Sequence, residues 1–247
     1  MRYLYLLSYL VLATWSNLTL ASVVMDGTRI IFEANKNDHE LIFTNKGDRP
    51  YAVQIWLDEH KDTNPENANA PFLVVPHIFQ ILPNSKQTAR IMFIGEKLPA
   101  DRESLFFLSF RQVPASTKNE IQEQEKSNNL FLIFRNTVKL FYRPSSINNA
   151  KELAGNTTKI MQLTEVVTNK NTIELTNTTG YYLSLIAAEF ISNNNTHELL
   201  DEPINFAPFS TIKLAIPKNI KLNSSAKLRL TAVSDYGNYI TVSKDLP

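Results

Sequence analysis

Short runs of β-branched and aromatic residues, each closed off by Asn, Asp, Gly or Pro, recur along almost the whole chain. Thr28–Phe32, Glu40–Thr44, Tyr51–Leu57, Ile78–Leu82, Thr88–Ile94, Leu105–Val113 and Leu130–Tyr142 read as strands. No long stretch keeps a helical apolar period. About seven runs of this spacing suit an immunoglobulin-like β-sandwich. Arg143-Pro144-Ser145-Ser146-Ile147-Asn148-Asn149-Ala150 then interrupts the pattern, because proline cannot extend a sheet ladder and the polar cluster reads as an elbow. Strand signals restart beyond it at Thr172–Thr176, Tyr182–Ile191, Ile204–Phe206, Thr211–Ile216, Lys227–Val233 and Tyr239–Val242. The fold class expected is all-β, with two immunoglobulin-like sandwiches joined at a hinge.

The start of the chain is set apart from this pattern. Met1–Ala21 carries a single charge, Arg2, then an apolar run from Tyr3 to Ala13, and ends Thr19-Leu20-Ala21. A basic start, an apolar middle and small residues at the end make a secretory signal peptide, with cleavage expected after Ala21. The unbroken apolar run is shorter than the ~20 residues a membrane-spanning helix needs. The expected division is therefore a leader over 1–21, an N-terminal domain over 22–144, a linker over 145–150 and a C-terminal domain over 151–247.

Composition removes several functions. The chain has no cysteine, so thiolate catalysis, cysteine-based metal sites and disulfides are excluded. Lys and Arg total 25 against 24 Asp and Glu, a balance that favours neither nucleic acid nor an anionic membrane. The 6 glycines are scattered, which leaves no phosphate-cradling loop and no nucleotide site. The 4 histidines (His39, His60, His77 and His197) share no metal-ligand spacing. No nucleophile elbow is present. Acidic pairs such as Asp58-Glu59 read as solvated surface charge. Neither an enzyme nor a cofactor is expected.

One strand departs from ordinary patterning. Leu130-Phe131-Leu132-Ile133-Phe134 is apolar on both faces and follows the polar stretch Ala115–Asn129, read as a long loop. Such a run is either a strand covered on both faces or an edge whose second face awaits a partner. Lys139 lies further along the same strand between Val138 and Leu140, and Arg29 stands among Ile30, Ile31 and Phe32 in the first. Cations in apolar strands are costly unless they snorkel, pair or meet an anion. If these two converge, they form a site for a carboxylate.

At these residues the chain resembles the periplasmic pilus-assembly chaperones of the bacterial chaperone–usher pathway. The resemblance runs over Thr28–Phe32, Asp48–Trp56, Pro71–Pro76, Leu98–Leu108, Asn136–Pro144 and Asp235-Tyr236-Gly237. It implies two sandwiches set in an L or boomerang. It also implies a periplasmic protein that binds incomplete pilus or fimbrial subunits and delivers them to an outer-membrane usher. The chaperone lends a strand to complete the subunit's fold, so that main-chain hydrogen bonds supply register and alternate side chains fill its groove. By the same match Leu130, Leu132 and Phe134 are the donated apolar residues. Arg29 and Lys139 anchor the subunit's C-terminal carboxylate, and Glu103, Arg143 and Asp235 form an interdomain ion network. Without a client, the donor strand is expected to support self-association. Phe107 stands where the family signature often has tryptophan, and the loop before the donor strand, moderate in length and without a cysteine pair, resembles the short-loop subclass.

Two rival classes compete. A structural fibre subunit or adhesin of the same fold should carry its own N-terminal donor extension. A eukaryotic cell-surface sandwich would use the glycosylation sequons at Asn156, Asn177, Asn194 and Asn223.

Overall fold

The computed structural model describes residues 23–115, 133–148, 152–169, 171–192, 195–216 and 226–246. The expected cleavage point after Ala21 and the donor positions Leu130 and Leu132 lie outside the described residues.

The first domain is a two-sheet sandwich. One sheet has the order β1-β3-β7-β5, from Val23–Met25, Asp38–Asn45, Lys86–Phe93 and Phe72–Val75. The other has the order β2-β9-β8-β4-β6, from Arg29–Glu33, Phe134–Arg143, Ser104–Pro114, Tyr51–Asp58 and Ile78–Ile81. Alternation fixes which side chains meet between the sheets. Phe32, Phe43, Ile91, Leu108 and Leu140 are all fully buried there.

The chain changes sheets between β1 and β2. The turn at Gly27 makes this possible with φ of 86°, a region where a Cβ is strained. As a result β1 pairs antiparallel with β3, whereas β2 pairs parallel with β9. The parallel pairing reaches only from Lys139 to Arg143, while β8 pairs with β9 from Phe134 to Tyr142. Along Phe134–Val138, then, β9 has β8 on one side and no strand on the other among the described residues.

The elbow after β9 holds one helical turn, α1, at Ser145–Asn148. The second domain follows, with a short helix α2 at Thr157–Leu163 and two further sheets. One sheet joins β10, β11 and β15 (Glu165–Asn169, Thr172–Thr176 and Thr211–Ala215). The other orders β13, β12, β16 and β17 (Asn195–Glu198, Leu183–Ser192, Lys227–Val233 and Tyr239–Asp245), with β14 at Ile204–Phe206 also pairing β12. Leu185, Phe190, Leu230 and Ile173 fill its core. The all-β, two-sandwich class expected from the sequence is the class observed.

Four strands were not read from the sequence as strands: β1, β5, β10 and β13. Helix α2 also has no counterpart there, because its 7 residues are too few to display a period.

Candidate functional site

The parallel register of β2 against β9 sets Arg29 opposite Lys139. Register partners in a sheet project their side chains to the same face, and here both side chains reach the second domain. Arg29 Nη1 donates to the Val233 carbonyl at 2.9 Å, and Lys139 Nζ donates to Ser184 Oγ at 3.2 Å. The two cations therefore stand side by side where the domains meet.

Burial shapes their electrostatics. Desolvation, then the neighbouring charges of Arg29 and Lys61, brings Lys139 down to about 8 from its ordinary value near 10.5. Arg29 is also drawn down by burial, with Asp235 and Glu103 opposing, and it stays charged as guanidinium does. Its Nε is buried without a hydrogen-bond partner among the described residues. An orphaned buried donor costs roughly 1–3 kcal/mol, so the site is left short of an acceptor. A carboxylate supplies acceptors and negative charge together.

Lys139 lines a cleft of about 840 Å³ between the loop Glu59–Thr63 and the second domain's Glu202, Pro203 and Asn205. Phe134 at the start of the same strand and Ile133 just before it are 55% and 56% exposed. Phe134 thus stands at the open edge of β9 with its ring half in solvent. Leu130 and Leu132 precede it outside the described residues.

Glu103, Arg143 and Asp235 form a contiguous ion cluster across the domain junction. Arg143 bonds Glu103 Oε1 through Nε and Nη2, both at 2.7 Å, and reaches Asp235 Oδ2 through Nη1 at 2.9 Å. Glu103 Oε2 accepts from the Tyr182 amide at 2.8 Å. Burial pushes the Glu103 carboxyl up, while Arg143 and the Tyr182 amide pull it back. Arg143 is held above its ordinary value because its two carboxylate partners outweigh the cost of burial. Beside the cluster, the Glu103 amide donates to the Gly180 carbonyl at 2.8 Å, and Arg102 lies 5.0 Å over the Phe209 ring.

Asp58 corrects one expectation. Read from sequence as surface charge, it is 5% exposed and organises the loop after β4. Its Oδ1 accepts from the His60 amide at 2.7 Å and from Thr63 Oγ1 at 2.8 Å, and its Oδ2 from the Asn69 amide at 2.9 Å. Burial alone would raise its carboxyl; these hydrogen bonds prevail and hold it below the usual range. The only hint in the sequence is its place at the end of a strongly apolar strand.

Among the described residues no group of three or more His, Asp or Glu is placed to hold a metal ion. No described helix is long and apolar enough to cross a membrane.

Residues 22–148 match the family described as pili and flagellar-assembly chaperone, PapD N-terminal domain, and residues 158–244 match pili assembly chaperone PapD, C-terminal domain. The chain is 30% identical over 236 residues to the Escherichia coli chaperone protein FanE, covering 94% of this chain and 93% of that one. It is 32% identical over 232 residues to the Bordetella pertussis chaperone protein FimB/FhaD, covering 92% and 88%. The crystal structure of the Pseudomonas aeruginosa CupB2 chaperone superposes with a TM-score of 0.69 at 28% identity, covering 91% of this chain and 100% of that one.

Proposed function

The chain belongs to the pilus-assembly chaperone family, and from that premise we propose that it completes an unfinished pilus or fimbrial subunit with strand β9 in the periplasm and passes it to an outer-membrane usher. The family is one of chaperones and not of enzymes.

The observation that carries the reading is the pairing of Arg29 with Lys139 midway along β9, just inside the half of the strand that has an open edge among the described residues. An extended segment can add to that edge through main-chain hydrogen bonds. The subunit's terminal carboxylate, held by both cations and by the orphaned Arg29 Nε, sets which subunit residue meets which side chain of β9. A slip of one residue would turn every side chain to the wrong face. Phe134, with Leu130 and Leu132 before it, supplies the donated apolar series. Each side chain so buried contributes roughly 1.5–3 kcal/mol.

Glu103, Arg143 and Asp235 act in this scheme by holding the angle between the domains, and with it the width of the cleft. Desolvation offsets much of the attraction within such a cluster, so geometry is its stronger role. The leader over 1–21, the hinge at 145–150 and self-association of the client-free protein through β9 belong to the same proposal.

The test is co-production with a subunit encoded beside the chain, followed by purification from the periplasm. The Arg29→Ala, Lys139→Ala double variant should keep the circular dichroism of the parent and lose the subunit. Wild-type yield of bound subunit in that variant would overturn the docking role.

A further inference from the structure

Alternation along β9 puts Arg135, Thr137 and Lys139 on one face and Phe134, Asn136 and Val138 on the other. Arg135 and Lys139 are therefore about 13 Å apart on the face that looks toward the loop after β4. Arg135 Nη2 donates to the Lys61 carbonyl at 2.9 Å and pairs with Asp62 Oδ1 at 3.2 Å. Its guanidinium lies 5.8 Å over the Trp56 ring. The segment it grips is itself rigidly tied. Asp58 gathers His60, Thr63 and Asn69, and Trp56 Nε1 donates to the Thr63 carbonyl at 2.9 Å. Glu59–Thr63 in turn forms one wall of the cleft that holds Lys139.

We propose that Arg135 is a positioning residue, which clasps the Glu59–Thr63 loop to the open half of β9 so that cleft wall and donor strand are set before a client arrives. This inference rests on the strand-donation reading above and adds to it how the free protein keeps that strand ready. An edge strand paired on one side is prone to local opening. A strand held in its bound form loses less entropy when the client adds to it. The Asp62 side chain is 90% exposed, so its ion pair contributes little energy. The Lys61 carbonyl and the Trp56 ring give the clasp its geometry, and a lysine at 135 lacks the planar fork to use both.

The clasp also places Lys61, whose charge is one of the causes holding Lys139 down. The charged and titratable groups around Lys139 are Arg29 on β2, Glu59, His60, Lys61 and Asp62 on the loop, and Glu202 in the second domain. Cutting the clasp lets Lys61 withdraw and water enter. Both changes return Lys139 from about 8 toward its ordinary value near 10.5.

The experiment compares the leader-free protein with Arg135→Ala, Arg135→Gln and Arg135→Lys. Hydrogen exchange at Phe134–Val138, the side-chain NMR titration of Lys139 and the rate of client association are measured in each. Arg135→Ala and Arg135→Gln should speed exchange about tenfold, raise the Lys139 titration and slow association several-fold, with the melting temperature held. Arg135→Lys should recover little of this. Exchange and titration unchanged in the Ala and Gln variants would overturn the clasp. A loosened strand with unchanged association would overturn its part in capture, while Arg29→Ala and Lys139→Ala, which leave the clasp intact, report on docking separately.

Discussion

Arg143 bridges Glu103 and Asp235 with contacts of 2.7 and 2.9 Å, one partner from each domain, and Glu103 and Arg143 are only 3% and 5% exposed. Removing one member of a buried ion cluster leaves uncompensated charge, at a cost of about 3–5 kcal/mol. Arg143→Ala should therefore lower the unfolding midpoint in urea sharply. Arg143→Lys should rescue it only in part, because one ammonium cannot repeat the fork that reaches both carboxylates. A midpoint unchanged in Arg143→Ala would show that the cluster does not hold the domains together.

Gly180 predicts a second effect at the same junction. A Cβ built on it would lie 2.6 Å from the Asp101 carbonyl, a backbone atom of the other domain. Neither partner can rotate away, so Gly180→Ala must shift one domain against the other. Small-angle scattering should show an altered interdomain arrangement, and subunit retention should fall. Unchanged scattering and retention would mean that the junction absorbs a methyl group.

The buried charge of Lys139 sets stability against the docking role proposed for it. Its folded value near 8 lies below the unfolded value near 10.5, so between them the unfolded chain binds more protons. Stability from this group accordingly rises as pH climbs from about 8 to about 10.5, and at neutral pH the charge is a cost. Lys139→Met should stabilise the free protein at neutral pH by on the order of 1 kcal/mol, discounted for the partial exposure of the site. The same variant should fail to retain its subunit. Denaturant melts at neutral and alkaline pH check the sign; a destabilised Lys139→Met at neutral pH would contradict it.

The proposed docking of a subunit carboxylate has the opposite dependence. A carboxylate needs the charged form of Lys139, so retention of the subunit should weaken as pH rises through about 8. Lys139→Arg should flatten that dependence, since guanidinium does not titrate there. Pull-down yields measured from about pH 7 to about pH 9 would show it.

Much of this was legible in the sequence for physical reasons. Arg29 and Lys139 stand out because charge is costly inside apolar strands, and that same cost drives the lowered Lys139 value. The strand runs stand out because a period of two is written directly in side-chain type. Other features left no such mark. Val23–Met25 and Asn195–Glu198 are too short or too polar to read as strands, and pairing with β3 and β12 is what extends them. Asp58 looks like any surface carboxylate until the loop folds over it. Gly180 is conspicuous only once Asp101 is known to press on it. Arg135 reads as an ordinary exposed cation until the loop at Lys61 is in place.

The central claim is that β9 extends a client's fold through its open edge. Hydrogen-exchange mass spectrometry on the purified chaperone–subunit complex tests this most directly, with the edge strand Tyr239–Asp245 as an internal control. The account predicts new protection at Phe134–Val138 on subunit binding and none at Tyr239–Asp245. Protection confined to other surfaces, with Phe134–Val138 exchanging as in the free protein, would contradict it.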